Sequence, residues 1–298
     1  MPRTSAYTLA PVRMAQLAAP ARADLHVHTT ASDGEYTPSQ VVAQARIAKL
    51  CTVAVTDHDT LAGAEEAATA AHGHVEFVPG VEISAAFGGR EVHLLGYFVR
   101  TDHDELNAAL ARLCAARRER FFDFASLLRA HGLALPDDRV QLVASATASL
   151  GRRHVAALLV ACGHAHARTA AVYRFVNPLV GKVKPKVLLP VAEAIRLVRA
   201  AGGVSSLAHP SPDLTDEQFA ELRAHGLSAL EAVYPWGRNG RGRRLREIAG
   251  RCGFAVSGGS DCHGPDPAHR RIGSHAITSD ELPALRTLAH ESAACATR

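Results

Sequence analysis

The sequence predicts an α/β fold in which one large β/α barrel is interrupted by a helical insertion. Three observations carry this reading. Short apolar, β-branched runs alternate with amphipathic helical segments over both ends of the chain. The predicted strands bring histidine, aspartate or glutamate to their ends, and in a parallel β/α barrel functional groups gather at the carboxyl ends of the strands. Between residues 102 and 188 the alternation gives way to helix-forming sequence alone. With 298 residues the chain is long enough for a barrel of this kind, though two modest domains would also fit the length.

The opening strand starts the stretch A-D-L-H-V-H-T-T-A-S-D, residues 23–33. Side chains alternate faces along an extended strand, so Asp24, His26 and His28 share one face while Leu25 and Val27 share the other. Two imidazoles on one face can grip one cation. Thr37-Pro38-Ser39-Gln40 then predicts a helix start, with Thr37 as N-cap, Pro38 in the first turn and Gln40 completing a capping box. Val41, Val42, Ala45 and Ala48 form its apolar face. Cys51 to Thr56 reads as a buried strand ending in Thr56-Asp57-His58-Asp59. An alanine-rich helix follows from Thr60 to Ala71, and a strand from Val75 to Val78. Pro79-Gly80 is expected to turn the chain before Val81-Glu82-Ile83-Ser84, where a lone glutamate sits among strand formers. Gly88-Gly89 predicts a hairpin turn, and Glu91 to Val99 returns as a strand carrying His93.

From Asp104 to His131 the apolar positions predict one long helix. Its middle, Arg117-Arg118-Glu119-Arg120, reads as a solvated face. Pro136 to Ser149 is undecided; helices are expected from Arg153 to Cys162 and from Thr169 to Phe175. The alternation then resumes. A helix from Pro190 to Ala201 ends at Gly202-Gly203, and the strand Val204 to Ala208 delivers His209. Thr215 to Gln218 repeats the capping-box pattern before a helix to His225, and Ala229 to Tyr234 is the next strand. A helix from Arg241 to Cys252 leads to the strand Ala255-Val256-Ser257, which runs into Gly258-Gly259-Ser260-Asp261-Cys262-His263. A helix from Ser279 to Glu291 closes the fold. The chain thereby divides into a loose N-terminal tail (1–22), a barrel (23–101 and 189–298) and a helical insertion (102–188).

Composition sets outer bounds. Hydrophobic residues make up 47% and charged residues 21%, as in an ordinary soluble protein; with aromatics at 5%, the core falls to Val, Leu, Ile and Ala. The net charge of +4 permits anionic substrates but is too small to choose between a nucleotide and an oligonucleotide. Six cysteines without a C-x-x-C pair argue against a zinc ribbon or a redox dithiol and for a reducing compartment. No apolar run approaches the roughly 18 residues of a membrane span. Residues 1–22 hold Arg3, Arg13 and Arg22 among three prolines and lack the sustained apolar stretch of a secretory signal, so cytoplasm is the expected location.

The polar residues near predicted strands are His26, His28, Asp33, His58, Glu82, His93, His209, Asp261 and His263. Six imidazoles and three carboxylates, with no thiolate, suit Mn, Fe or Zn better than Ca, and nine ligands exceed what one ion can use. Two or three divalent cations are implied, Mn2+ foremost and Fe2+ or Zn2+ as alternatives. Other patterns are set aside. His164-Ala165-His166 follows Gly163 between helices with no strand, His72 and His74 lie in a loop, and the run Arg238 to Arg246 lacks interleaved aromatics and reads as a basic surface.

The ordered series D-x-H-x-H, T-D-H-D, G-x-E, H-x-L-G-Y, A-H-P and S-D-x-H, from Asp24 to His263, resembles the PHP (polymerase and histidinol phosphatase) family of metal-dependent phosphoesterases. The resemblance implies a distorted (β/α)7 barrel with a trinuclear site. By that pattern His26, His28, Glu82 and Asp261 hold one metal, Glu82, His93 and His209 a second, and Asp33, His58 and His263 a third. A hydroxide bridging the metals is then expected to attack phosphorus. Asp24 and Asp57 join the catalytic set by orienting ligand imidazoles; Asp59 shares that candidacy or caps the next helix. One branch of the family carries an Arg-x-His step at an insertion helix, matched here by Arg152-Arg153-His154. Arg152 and His154 are thus candidates to bind phosphate, His154 also to protonate the leaving oxygen, and Lys184 is a further substrate-binding candidate. This branch implies a 3',5'-bisphosphonucleotide such as pAp, or short 5'-phosphorylated RNA, as substrate. The alternatives are a small phosphomonoester like histidinol phosphate, a cyclic phosphate, or a non-catalytic metal-binding module. No membrane and no obligate protein partner is implied.

Overall fold

The structure, a computed structural model, describes residues 22–265 and 267–296. Its regular elements are β1 (Arg22–Asp24), α1 (Pro38–Ile47), β2 (Thr52–Val55), α2 (Ala64–Ala71), β3 (Glu76–Phe87), β4 (Arg90–Tyr97), α3 (Asp104–Ala130), α4 (Asp137–Ser145), α5 (Arg152–Ala161), α6 (Arg168–Ala171), β5 (Leu189–Pro190), α7 (Val191–Ala200), β6 (Val204–Leu207), α8 (Asp216–Ala224), β7 (Ala229–Val233), α9 (Arg241–Cys252), β8 (Ala255–Gly258), β9 (Ile277–Thr278) and α10 (Leu282–Ala296). The expected tail lies outside the described residues except for Arg22. That residue opens β1, and its guanidinium donates to the carbonyls of Gly273 and Ala48.

The sheet runs β8-β7-β6-β4-β3-β2-β1-β9, with β5 beside β3. β1, β2 and β3 are parallel, as are β6, β7 and β8, while β4 runs antiparallel to β3 and β6. The curl closes just beyond β1 and β8, where Val27 bridges Cys262 and the amides of His28 and Asp261 donate across the seam. β9 fills the seam lower down, beside Arg22 and Ala23. The result is the distorted, nearly closed barrel that the sequence predicts. Gly259 makes the closure possible, since a Cβ there would fall 2.3 Å from the His26 nitrogen and 2.4 Å from its Cβ.

Local signals act as read in most places. Both capping boxes form, at Thr37 with Gln40 and at Thr215 with Gln218, and Gly88 and Gly89 turn the β3–β4 hairpin with φ of +57° and +75°. The expected turn at Pro79-Gly80 does not form: β3 continues for 12 residues. Here β3 changes partners, pairing Pro79 with Val55 of β2 and Gly80 with Tyr97 of β4. Gly80 serves close approach, because a Cβ would stand 3.0 Å from the Gly96 carbonyl and from Thr56 Cγ2. β5 and β9, two residues each, are too short to leave a periodic trace.

The barrel interior is filled by Leu25, Ala54, Val78, Leu95, Tyr97, Val204 and Ala229. Outside it, α7 to α9 and the first half of α3, through Leu106, Leu110 and Leu113, cover Val81, Ile83 and Leu94. The second half of α3 belongs to another core, in which Phe121, Phe124 and Leu128 pack against Val140, Leu150, Val155, Leu158 and Leu179. One helix therefore ties the inserted segment to the barrel. Full burial of a side chain such as Phe124 or Leu158 stabilises by about 1.5–3 kcal/mol each.

Candidate metal centre

The seam that closes the barrel also aims the first ligands. Val27 is fixed in the core by its bridge to Cys262, so His26 and His28 on either side face the opposite way, both fully buried. His58 follows β2 and bridges Glu82 in β3. β3 and β4 extend past the rim as a hairpin that also carries His93, opposite Ser84. His209 follows β6, and Asp261 and His263 follow β8. Asp59, His209 and Asp261 have φ of +53°, +27° and +51°. Such conformations cost about 1–3 kcal/mol each in a side-chain-bearing residue and persist where the surroundings impose them.

The nine candidates form one cluster. The Nε2 atoms of His26 and His28 lie 3.2 Å apart. Each stands 3.3–3.5 Å from Glu82 Oε2 and from Asp261 Oδ1. Donors around one tetrahedral ion with bonds of about 2.0–2.1 Å are separated by about 3.3–3.4 Å, so this spacing fits a single cation. Glu82 Oε1 faces His93 Nδ1 at 2.8 Å and His209 Nε2 at 3.0 Å. Asp33 Oδ1 lies 3.2 Å from His263 Nε2 and 3.8 Å from His58 Nε2. His58 stands between two groups, for its Nδ1 is 2.9 Å from Glu82 Oε2. Distances accordingly gather His58 with Glu82 and His93 as well as with His28, Asp33 and His263. Among the described residues, Asp33 Oδ1, Glu82 Oε2 and His58 Nδ1 are buried and make no hydrogen bond, although each faces another ligand-type atom, His58 Nδ1 and Glu82 Oε2 at 2.9 Å and Asp33 Oδ1 and His263 Nε2 at 3.2 Å. Buried acceptors of this kind are costly unless paired, and divalent cations match them.

Charge in the cluster is strongly coupled. Burial alone would push the Glu82 carboxyl up, yet His93, His58 and His26 hold it well below the usual carboxylate range. Asp33 and Asp261 are likewise held down against burial, Asp33 by His263 and His58, Asp261 by His26 and His263. Against the lowering effect of burial, Asp261 and Glu82 raise His28 to about 10, and Glu82 and Glu91 raise His93 to about 9. His58 falls to about 4, mainly through burial. The carboxylates thus draw positive charge inward, and protons and metal ions compete for the same nitrogens.

The surrounding shell corrects several expectations. Asp24 meets no imidazole through a hydrogen bond; it accepts backbone N–H groups from Ser260 (2.9 Å), Gly273 (2.8 Å) and His26 (3.3 Å), clamping the seam. Burial raises its pKa to about 6. Asp57 accepts from Thr29 and from Ser32 Oγ (2.5 Å), and that hydroxyl lies 3.5 Å from His28 Nδ1, so Asp57 reaches the imidazole through Ser32. Asp59 caps no helix and touches no imidazole in a hydrogen bond; it takes Ser84 and Arg117 Nε. The carboxylate that directly orients a ligand is one the sequence reading missed. Glu231, fully buried in β7, receives His26 Nδ1 at 2.8 Å and the His209 backbone N–H at 2.6 Å. Its only sequence signal is a lone acid in the strand A-L-E-A-V, the same signal that singled out Glu82. Tyr234 and Arg270 both donate to Asp261 Oδ2.

Above the cluster is a cavity of about 360 Å³ with Asp33, His58, His93, Asp261 and His263 at its floor and Arg117, Arg152, Arg153, Lys186 and Arg270 in its walls. A second cavity, about 310 Å³, shares Glu91, Arg117, Gly151, Arg152 and Lys186 with the first and adds Arg120, Phe121, Phe124, Leu150, Val155 and Val180. Arg152 thus stands between the two. His154 lines neither; its Nδ1 accepts the Gly151 N–H at 2.9 Å and closes the start of α5. Lys184 is exposed and meets Glu119 at 3.2 Å, while Lys186, two residues on, reaches the site and binds Glu91. The expected solvated face on α3 turns inward at Arg117, which binds Asp59, Ser84 and the Leu150 carbonyl. His164 is half-buried and contacts the Ala134 carbonyl, away from the cluster.

Comparison with known proteins agrees with the geometry. The PHP domain model matches residues 24–158. The 5'-3' exoribonuclease Rnm of Salmonella typhimurium is 32% identical over 82% of this chain and 86% of its own length. The chain belongs to the PHP family. The 3',5'-nucleoside bisphosphate phosphatase of Chromobacterium violaceum is 28% identical over 91% of the chain and 96% of its own. The phosphoribosyl 1,2-cyclic phosphate 1,2-diphosphodiesterase of Eggerthella lenta is 32% identical over 81% and 94%. A solved structure from Bifidobacterium adolescentis, described as a metal-dependent phosphoesterase, superposes with a TM-score of 0.80 at 32% identity, covering 89% of this chain and 96% of that one. This PHP protein is therefore a metal-dependent phosphoesterase, a hydrolase acting on phosphate esters, and the alternative of a non-catalytic module is set aside. No helix among the described residues is long and apolar enough to cross a membrane.

Proposed function

We propose that this PHP protein hydrolyses a phosphate monoester of a nucleotide, a 3',5'-bisphosphonucleotide such as pAp or short 5'-phosphorylated RNA, and that the inserted segment 102–188 recognises the substrate. The observation that carries this reading is the junction of the two cavities: ligand-type side chains floor the first, cationic side chains wall it, and a second chamber of nucleoside size, with Phe121, Phe124, Leu150, Val155 and Val180 beside its charged groups, opens next to it.

In this reading His26, His28, Asp33, His58, Glu82, His93, His209, Asp261 and His263 hold two or three divalent cations, Mn2+ foremost. Bound there, such cations supply positive charge for an anionic ester and lower the pKa of water, so that a nucleophile is available near neutral pH. The protein's own groups do the rest. Glu231 fixes the His26 ring so that Nε2 faces the centre, and Asp57 acts on His28 through Ser32. Arg152 and Lys186 grip phosphate oxygens, Arg152 by its planar fork. Phe121, Phe124 and Val155 enclose the nucleoside and exclude water. Lys184 and His154 are not retained as substrate contacts, and the leaving-group acid is not assigned to His154.

A panel with Mn2+ tests the proposal, offering pAp, a short 5'-phosphorylated RNA, histidinol phosphate and phosphoribosyl 1,2-cyclic phosphate. We expect the first two to be turned over at least about tenfold more efficiently than the others. Preference for the cyclic phosphate, the chemistry named for the Eggerthella lenta relative, would overturn it.

A further inference from the structure

We infer that the loop after β7 and the start of α9 form a track for single-stranded nucleic acid, leading away from the metal centre and built on Trp236, Arg241 and Arg244. The inference rests on the nucleotide reading above and extends it from one nucleotide to the strand behind it. The track begins in the centre itself. The Tyr234 ring lies 5.4 Å from that of His209, and its hydroxyl donates to Asp261. The Trp236 ring follows at 4.5 Å from Tyr234, tilted by 47°. The Arg241 guanidinium then stands over Trp236, 3.9 Å from the ring centroid. Beyond it a cavity of about 290 Å³ is lined by Asn239, Arg241 and Arg244 over an apolar floor that includes Phe219 and Leu245.

Rings and guanidinium planes in file, opening onto further arginines, make the surface that single strands use: bases stack on the flat groups and the backbone follows the charge. The two arginines are available for this role. Arg244 donates to a neutral acceptor, the Pro212 carbonyl, at 3.4 Å, and Arg241 rests on an aromatic face. Gly237 and Gly240, with φ of +71° and +73° and open space where a Cβ would stand, let the loop turn so that Arg238 and Asn239 are exposed. The run Arg238 to Arg246 reads from sequence as a plain basic surface for want of aromatics; the fold supplies them from Tyr234 and Trp236. A mononucleotide bound at the centre does not need this path.

Trp236 is the chain's one tryptophan, so its fluorescence reports occupancy directly. The Mn2+-loaded protein is titrated with a 5'-phosphorylated hexaadenylate carrying phosphorothioate linkages throughout, and separately with pAp. Quenching by the hexamer and little by pAp is expected. In turnover assays W236A and R241A should each lower kcat/KM for a 5'-phosphorylated RNA hexamer by about tenfold, the loss of one base stack, and leave pAp hydrolysis within about twofold of wild type. W236F should retain most of the hexamer activity. Equal losses on both substrates would mark the loop as merely structural and overturn the track, as would a hexamer that leaves the fluorescence unchanged while pAp is hydrolysed. Quenching by the hexamer without hydrolysis of any nucleotide would support the track and sink the proposed activity instead.

Discussion

The metal centre and the cavity above it are made of opposite materials. Carboxylates and imidazoles on strand ends form the centre, buried and locked by the barrel seam, with Glu231 and Asp57 behind them. Arginine and lysine wall the cavity, four of the five on the inserted helices and the segment that returns to the barrel, with Phe121 and Phe124 beyond. The barrel gathers negative charge for cations; the insertion supplies positive charge and apolar surface for an organic anion. Metal loading and substrate choice should therefore separate under mutation.

The largest effect belongs to the carboxylate shared by the most ligands. E82Q should lower turnover by at least about a thousandfold and reduce bound metal, measured by elemental analysis of the purified protein alongside phosphate release; near-normal activity at full metal load would remove Glu82 from the centre. E231Q should weaken metal affinity by about 10–100-fold through loss of the His26 partner, with activity recovering at high Mn2+. On the other side of the comparison, R152A and K186A should raise KM for pAp by about tenfold or more while metal content stays constant. K184A should stay within about twofold in every constant, because its partner is the exposed Glu119. A metal loss in R152A, or a KM effect in K184A equal to that of K186A, would blur the division.

The smallest expected effect is on stability. Burial holds the His154 pKa below its usual 6.5, and Nδ1 must stay unprotonated to accept the Gly151 N–H. The unfolded chain takes up a proton as pH falls through about 6.5 and the folded chain does not, so this residue's contribution declines on acidification. The stability of wild type relative to H154Q, from urea midpoints of the metal-free proteins, should decrease from pH 7.5 to pH 5.5. A difference independent of pH would mean that His154 is not neutral in the fold.

What the sequence made legible follows the same division. Strand-end ligands are rare residue types at fixed spacings, and capping boxes are local hydrogen-bond patterns, so both can be read without a fold. The partners are different. Glu231 resembles any acid in a strand until His26 is known to face it, and Arg117 looks solvent-exposed on a helix whose inner face changes from the barrel core to the insertion core midway. Lys184 and Lys186 differ by two residues in an irregular segment, where no periodicity says which points inward. Pro79-Gly80 has the composition of a turn, but β3 uses it to change partners.

The most direct test of the account is to titrate metal-free protein with Mn2+ while following both bound metal and phosphate released from pAp. The account predicts that activity rises only as two or three ions bind per chain. Full activity with a chelator present and no stoichiometric metal, or saturation with metal and no release of phosphate from any nucleotide, would contradict it.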